Sequence, residues 1–199
     1  MKNVLIIQSS PAGENSKTRQ LIEAVKNRFS KEYKEVEFTE RDLVKTNLPH
    51  VQFDDIATLF SHDEKFQSPF NTRSMELINE LRKADIIVIG MPMHNFSVPS
   101  NLKAWIDHTS RAGITFTYTA EGPRGTLGGK KAILVTSAGG VYSSGPAQSL
   151  DFSEPFVKTW LRVLGVEDIQ SVRVEGLSVP ELAVNAVANA MRDVERLKL

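Results

Sequence analysis

Strands alternating with helices around a parallel β-sheet are what this 199-residue chain predicts, on three observations. Short runs of consecutive apolar residues recur, the pattern of strands buried on both faces. Segments with apolar residues at helical spacing separate them. Loops rich in Ser, Gly, Asn and Pro follow the apolar runs. A parallel sheet with helices on both faces accommodates all three.

The first run is Val4-Leu5-Ile6-Ile7, read as a buried strand. Leu21, Ile22, Val25 and Phe29 then recur at helical spacing, with charges between them. Residues 36–43 alternate weakly, as a second strand. Residues 75–81 are helical in pattern and lead into Ile86-Ile87-Val88-Ile89-Gly90, the clearest strand in the chain. Pro99 sits early in the next helix, where a missing N–H is harmless. Leu102, Trp105 and Ile106 form the apolar side of that helix. Ala132-Ile133-Leu134-Val135 reads as a strand, residues 156–164 as a helix and residues 169–174 as a strand. Ala183, Ala186, Val187, Ala190, Met191, Val194 and Leu197 form the stripe of a closing helix. Five strands in this alternation fit an α/β three-layer sandwich of flavodoxin-like order 2-1-3-4-5. A single domain over residues 1–199 is expected. Two stretches fall outside the alternation. Residues 51–70 are rich in Phe, and residues 115–127 read as a hairpin carrying Phe116 and Tyr118.

Composition removes several classes of function. The chain has no cysteine, which excludes a disulfide framework, zinc–thiolate sites and cysteine nucleophiles. Lys plus Arg equals Asp plus Glu at 24 each, so there is no electrostatic footprint for nucleic acid or an anionic membrane. The longest apolar stretch, residues 86–93, is interrupted by Gly90 and Pro92 and is too short to span a bilayer. A cytoplasmic protein is expected.

Ligands of open parallel sheets bind at the carboxyl ends of the strands, where strand order reverses. Three loops qualify. In residues 9–18, Ser10, Ser16 and Thr18 place hydroxyls just before a helix whose free N–H groups suit a phosphate. A plain helix cap by Ser16 accounts for the same residue. In residues 91–99, Met93, His94, Asn95 and Phe96 mix apolar, aromatic and amide groups, as a flat heteroaromatic ring with polar edges requires. A core-closing cluster is the alternative. In Ser137-Ala138-Gly139-Gly140, two glycines allow close backbone approach, or form an ordinary turn.

Other motifs fail on inspection. Residues 11–18 imitate a phosphate-wrapping Walker loop but carry Pro11 and Ser16 where the pattern requires glycine. No dinucleotide glycine pattern follows the first strand. No nucleophile elbow surrounds Ser143 or Ser144. The four histidines lack metal-ligand spacing. Asp107-His108, adjacent on a helix, is expected at the surface. A cradle without a protein nucleophile points to chemistry carried by a cofactor.

At this point the chain resembles the FMN-dependent NADH azoreductases, which are also NAD(P)H:quinone oxidoreductases of flavodoxin-like fold. The resemblance covers nearly the whole length. It rests on Ser9-Ser10 with Ser16-Lys17-Thr18, on Pro92-Met93-His94-Asn95-Phe96, and on Leu102-Lys103-Ala104-Trp105-Ile106-Asp107. It continues through Arg111-Ala112-Gly113-Ile114-Thr115-Phe116, Tyr118, Glu121-Gly122-Pro123, Gly129-Lys130-Lys131-Ala132, Thr136-Ser137-Ala138-Gly139-Gly140 and Gly145-Pro146.

The resemblance implies FMN phosphate contacts from Ser10, Ser16, Lys17 and Thr18. It implies ring contacts from Met93, His94, Asn95, Phe96, Ser137, Ala138, Gly139 and Gly140, and an aromatic near the substrate at Tyr118. It further implies hydride transfer from NADH or NADPH to quinones and azo compounds by a ping-pong route, with no catalytic protein residue. The chain departs from the family at His94, where Tyr or Trp is usual, and at Ala138, where Arg is frequent; both bear on substrate preference. The two segments outside the alternation carry Phe53, Phe60, Phe66, Phe70, Phe116 and Tyr118, aromatics that either fold back onto their own domain or meet a partner; together with the family's dimeric state they imply a homodimer with sites shared between chains. The competing class is a flavodoxin-type one-electron carrier. Such carriers are strongly acidic, whereas this chain is neutral.

Overall fold

A computed structural model describes residues 1–199. The chain runs β1 (Lys2–Gln8), α1 (Lys17–Glu32), β2 (Val36–Asp42), α2 (Leu43–Thr46), α3 (Ile56–Leu59), α4 (Pro69–Lys83) and β3 (Ile86–Pro92). It continues through α5 (Ser100–Thr109), β4 (Phe116–Thr119), β5 (Gly122–Gly125), β6 (Lys131–Ser137), α6 (Glu154–Val163), β7 (Asp168–Val174) and α7 (Pro180–Glu195). Five strands form one sheet in the order β2-β1-β3-β6-β7, every pair parallel. Counted within the sheet this is the expected 2-1-3-4-5. Strands β4 and β5 form the expected antiparallel hairpin.

The apolar runs divide between two cores by strand alternation. Leu5, Ile7, Ile87, Ile89 and Leu134 face one side, where α4, α5 and α6 add Leu77, Trp105 and Leu161. Val4, Ile6, Val88, Ile133 and Val135 face the other, where α1 and α7 add Leu21, Ile22 and Ala190. Gly90 lets α1 press onto β3, since a Cβ there would lie 2.5 Å from Ile22 Cδ1. Residue 43 does not extend the weak second strand. Asp42 accepts hydrogen bonds from the Val44 and Lys45 N–H groups at 3.0 and 3.4 Å, which starts α2 at Leu43.

One expectation is overturned. His108 is fully buried rather than at the surface, while Asp107 beside it is half-buried. The reason is tertiary: residues 47–68, an excursion with only short helical pieces, fold back over the last turn of α5. The His108 imidazole stacks on Phe70 with centroids 4.4 Å apart, and its Nε2–H donates to the Pro49 carbonyl at 3.0 Å. Arg111, also fully buried, donates to Asn71 Oδ1 (3.0 Å), Ser74 Oγ (3.1 Å) and the Ser61 carbonyl (3.2 Å), with no carboxylate partner. The excursion is therefore pinned at both ends by polar groups from the α5 region. It leaves Phe53 and Phe60 91 % and 77 % exposed, while Phe70 is buried. The hairpin packs its Gly125 against the Leu164 backbone, too close for any Cβ, and leaves Tyr118 exposed.

Candidate active site

The carboxyl ends of β1, β3 and β6, adjacent in the sheet, bring the three candidate loops onto one rim. Hydrogen bonds tie them together. Ser9 Oγ donates to the Gly90 carbonyl at 2.7 Å, and Asn101 Nδ2, from the start of α5, donates to the Ser9 carbonyl at 3.0 Å. The Met93 N–H donates to the Ser137 carbonyl at 2.8 Å, joining the second loop to the third.

The first loop buries Ser10, Ser16 and Thr18 and leaves Lys17 exposed. Ser16 is the N-cap of α1, accepting from the Arg19 N–H at 3.2 Å. The capping reading is thus correct, but it does not exhaust the residue. Ser16 Oγ lies 3.0 Å from Thr18 Oγ1, so two buried hydroxyls converge above a helix start. The Lys17 and Thr18 N–H groups, in the first turn, have no helical acceptor. Arg19 braces the loop from behind, donating to the Ser10 carbonyl (3.1 Å) and to Asp42 (3.0 Å).

The second loop is a tight turn. His94 and Ser97 exchange backbone hydrogen bonds at 2.9 and 3.0 Å, and Asn95 and Phe96 between them adopt φ of 49° and 66°. A left-handed conformation is tolerable for Asn but strained for Phe. Backbone strain of this kind persists where surrounding structure over-determines it, and clusters at ligand clamps. His94, Asn95 and Phe96 are exposed at the tip, while Met93 is half-buried beneath them. The Asn95 and Phe96 N–H groups have no acceptor within the protein.

The third loop has its carbonyls tied back and its amides free. The Ser178 N–H donates to the Gly139 carbonyl and the Gly176 N–H to the Gly140 carbonyl, each at 2.9 Å. The Gly139 and Gly140 N–H groups find no acceptor in the chain. The glycines serve the protein's own packing: a Cβ at Gly139 would lie 2.6 Å from Ser178 Oγ, and one at Gly140 3.1 Å from the Tyr142 ring. Ser137 and Ala138 are buried beside them.

Beside the second loop opens a cleft of about 870 Å³, walled by His94, Asn95 and Val98 on one side and by Phe152 and Phe156 on the other, with His50 and Lys103 at its margin. Tyr118 is not among its lining residues; within one chain the hairpin stands apart from the cleft. Sequence reasoning missed Asn101, Tyr142, Phe152 and His50. None belongs to a local motif, and only the folded arrangement of loops brings them to the rim.

Comparison with known proteins agrees with this geometry. The family model described as flavodoxin-like fold matches residues 2–197. A protein named FMN-dependent NADH:quinone oxidoreductase from Herminiimonas arsenicoxydans is 39 % identical, over 99 % of this chain and 98 % of its own length. The chain belongs to this family of flavodoxin-like oxidoreductases. A namesake from Beijerinckia indica is 38 % identical, with both chains covered in full. Among solved structures, an azoreductase from Bacillus anthracis superposes with a TM-score of 0.85 at 28 % identity, covering 99 % of this chain and 100 % of its own. Within the family frame, the residues present fit a flavin mononucleotide. Buried hydroxyls and a helix start match a phosphate. The unpartnered amides of two loops match the polar edge of a ring, and the backbone that carries them is fixed by the protein itself.

Proposed function

We propose that this chain is an FMN-dependent oxidoreductase that passes hydride from NADH or NADPH to quinones and also cleaves azo compounds reductively. The observation that carries the reading is the shared rim, with a buried hydroxyl pair at a helix start on β1 and free amides at the ends of β3 and β6. FMN, when bound, would supply the two-electron chemistry: one hydride equivalent from one nicotinamide, with a proton from water, reduces a quinone to its hydroquinone, and two such rounds, with two nicotinamides, cleave one azo bond to two amines.

The chain's residues bind and orient. Ser10, Ser16, Lys17 and Thr18 hold the phosphate, with the neutral hydroxyls and helix N–H groups supplying donors and the exposed Lys17 supplying charge. Met93, His94, Asn95 and Phe96 support one edge of the ring, and Ser137, Ala138, Gly139 and Gly140 the other. With FMN bound, the free N–H groups at Asn95, Phe96, Gly139 and Gly140 would offer fixed donors to the polar edge of the ring, a favourable electrostatic arrangement because no dipole must reorient. The cleft beside the Asn95–Phe96 turn would receive donor and acceptor in turn, as a ping-pong route requires. Phe152 and Phe156 give it an apolar wall for flat substrates.

The assembly is a homodimer. Phe53, Phe60 and Tyr118 are exposed aromatics on the segments outside the alternation, and interfaces are enriched in such residues. In such a dimer Tyr118, which does not line its own chain's cleft, would be the residue contributed to the partner's substrate site. No helix is long and apolar enough to cross a membrane. The partners in this reading are small molecules, and its place of action is the cytoplasm, where NADH and NADPH are made. Initial rates with NADH and a benzoquinone, varied together, test the mechanism. Parallel reciprocal plots are expected, and intersecting plots contradict a shared cleft. Light scattering should give about twice the chain mass of 22.1 kDa; a fully active monomer contradicts the shared site.

A further inference from the structure

Behind the third loop lies an ionic cluster that the proposed chemistry does not use. Arg173, at the end of β7, reaches three carboxylates: Glu154 Oε2 at 2.9 Å, and Asp151 Oδ2 and Glu175 Oε1 at 3.4 Å each. The Asp151, Glu154 and Glu175 side chains are 6 %, 3 % and 13 % exposed. Lys158, one turn along α6, adds a second cation on Glu154 at 2.6 Å. Burial opposes ionisation of Glu154, but hydrogen bonds from Lys158 and Ser171 and the Arg173 charge outweigh it, and its carboxyl titrates below the ordinary range.

Two of the three carboxylates also grip the backbone of a loop on the site. Glu175 Oε1 accepts from the Tyr142 N–H at 2.8 Å. Asp151 Oδ1 accepts from the Ser153 and Glu154 N–H groups at 2.9 and 3.1 Å, which fixes the turn that presents Phe152. Both loops then meet the strained turn. The Phe152 N–H donates to the Phe96 carbonyl at 3.0 Å, and the Tyr142 ring stands edge-on to the Phe96 ring with centroids 6.2 Å apart. Met93, Ser137 and Ala138 share a small cavity with Arg173 and its three carboxylates. One cation therefore connects the segments that carry Phe96, Tyr142 and Phe152.

We propose that Arg173 is a positioning residue: by bridging Asp151, Glu154 and Glu175 it holds the Tyr142 and Phe152 loops against the Asn95–Phe96 turn and so sets the wall of the ring-binding half of the site. This inference rests on the FMN reading above. Without Arg173, three closely packed and nearly buried carboxylates face one lysine. Their repulsion moves the loops they hold. The phosphate half, on the far side of β3, is untouched, so the loss falls on the ring and not on the phosphate.

The test compares full-length wild type, Arg173→Met, Arg173→Lys and Lys158→Met, each titrated with FMN and with riboflavin, which lacks the phosphate. Flavin circular dichroism in the visible region reports the ring environment. Arg173→Met should weaken both ligands by the same factor, tenfold or more, and alter the flavin dichroism. Arg173→Lys should restore binding to within threefold, and Lys158→Met should leave both affinities and the spectrum as in wild type. Wild-type affinities and dichroism in Arg173→Met overturn the inference, as does a loss confined to FMN. A wild-type chain that binds neither flavin takes down the functional reading and this inference with it. Should Arg173→Met not fold, Glu175→Ala frees only the Tyr142 loop and leaves Arg173 paired to Asp151 and Glu154; it must weaken both flavins at least threefold, or the inference fails.

Discussion

Ser16→Asp separates the two roles of the first loop. Aspartate is as good an N-cap as serine, so the hydrogen bond from the Arg19 N–H survives and α1 keeps its start. What changes is charge. An anion oxygen that accepts from both Ser16 Oγ and Thr18 Oγ1, themselves 3.0 Å apart, sits about 3 Å from each. A carboxylate at residue 16 then faces the phosphate at roughly 4 Å. At an effective dielectric constant of about 20 each unit-charge repulsion is about 4 kcal/mol, close to a thousandfold in affinity. The lost hydroxyl donor adds about 1.5–3 kcal/mol. Riboflavin has no phosphate and should bind wild type and Ser16→Asp alike. Fluorescence titration of both flavins, beside a thermal melt, reads all of this. A variant that binds FMN within tenfold of wild type refutes the phosphate assignment. So does a variant that loses riboflavin as well, or melts far below wild type, since either makes residue 16 a structural position only.

Three further outcomes follow from the geometry. Phe96→Gly removes the strain of a left-handed phenylalanine, about 1–2 kcal/mol, together with the aromatic contact to Tyr142; the melting temperature should hold or rise while FMN affinity falls, and a fall in both shows that Phe96 is there for packing. Gly139→Val should weaken flavin binding through the collision with Ser178 Oγ, so Ser178→Gly in the same chain should recover it; no recovery places the obstruction in the ligand's space instead. Burial pushes the His108 imidazole below its ordinary value, with the Pro49 carbonyl partly opposing and the Arg73 charge adding to the drop. Its unfolded state binds the proton more readily, so this residue's stabilising share is present above about pH 6.5 and is lost as pH falls through the folded value. Denaturant melts across that window should slope downward toward acid in wild type and less so in His108→Phe; equal slopes remove His108 from the account.

The sheet was legible because its inner strands are continuously apolar, and runs such as Ile86-Ile87-Val88-Ile89 are short, β-branched and closed by Gly90, which favours a buried strand over a buried helix. The site loops were legible by position, since they follow the strands whose order reverses. Local signals could not reveal the conformation of the Asn95–Phe96 turn, because the usual glycine is missing and the turn is imposed by its neighbours. His108 was misplaced for a related reason. Helical periodicity sees the sheet-facing side of α5, not the excursion at residues 47–68 that roofs its other side. The Arg173 cluster was invisible for want of spacing: its members lie on a loop, the start of α6 and the end of β7. Charges that far apart in sequence meet only once the sheet is ordered.

The most direct measurement is anaerobic double-mixing of the purified protein, followed by flavin absorbance. The preparation should be yellow and release FMN, not FAD, on denaturation. Mixing with NADH should bleach the flavin band within a turnover time, and a second mix with a quinone should restore it completely, with one NADH consumed per quinone reduced. A colourless protein that stays colourless with added FMN contradicts the account outright. A yellow protein that NADH bleaches only over many minutes would be an electron carrier, and the cleft beside Asn95 and Phe96 would not be a site for hydride transfer.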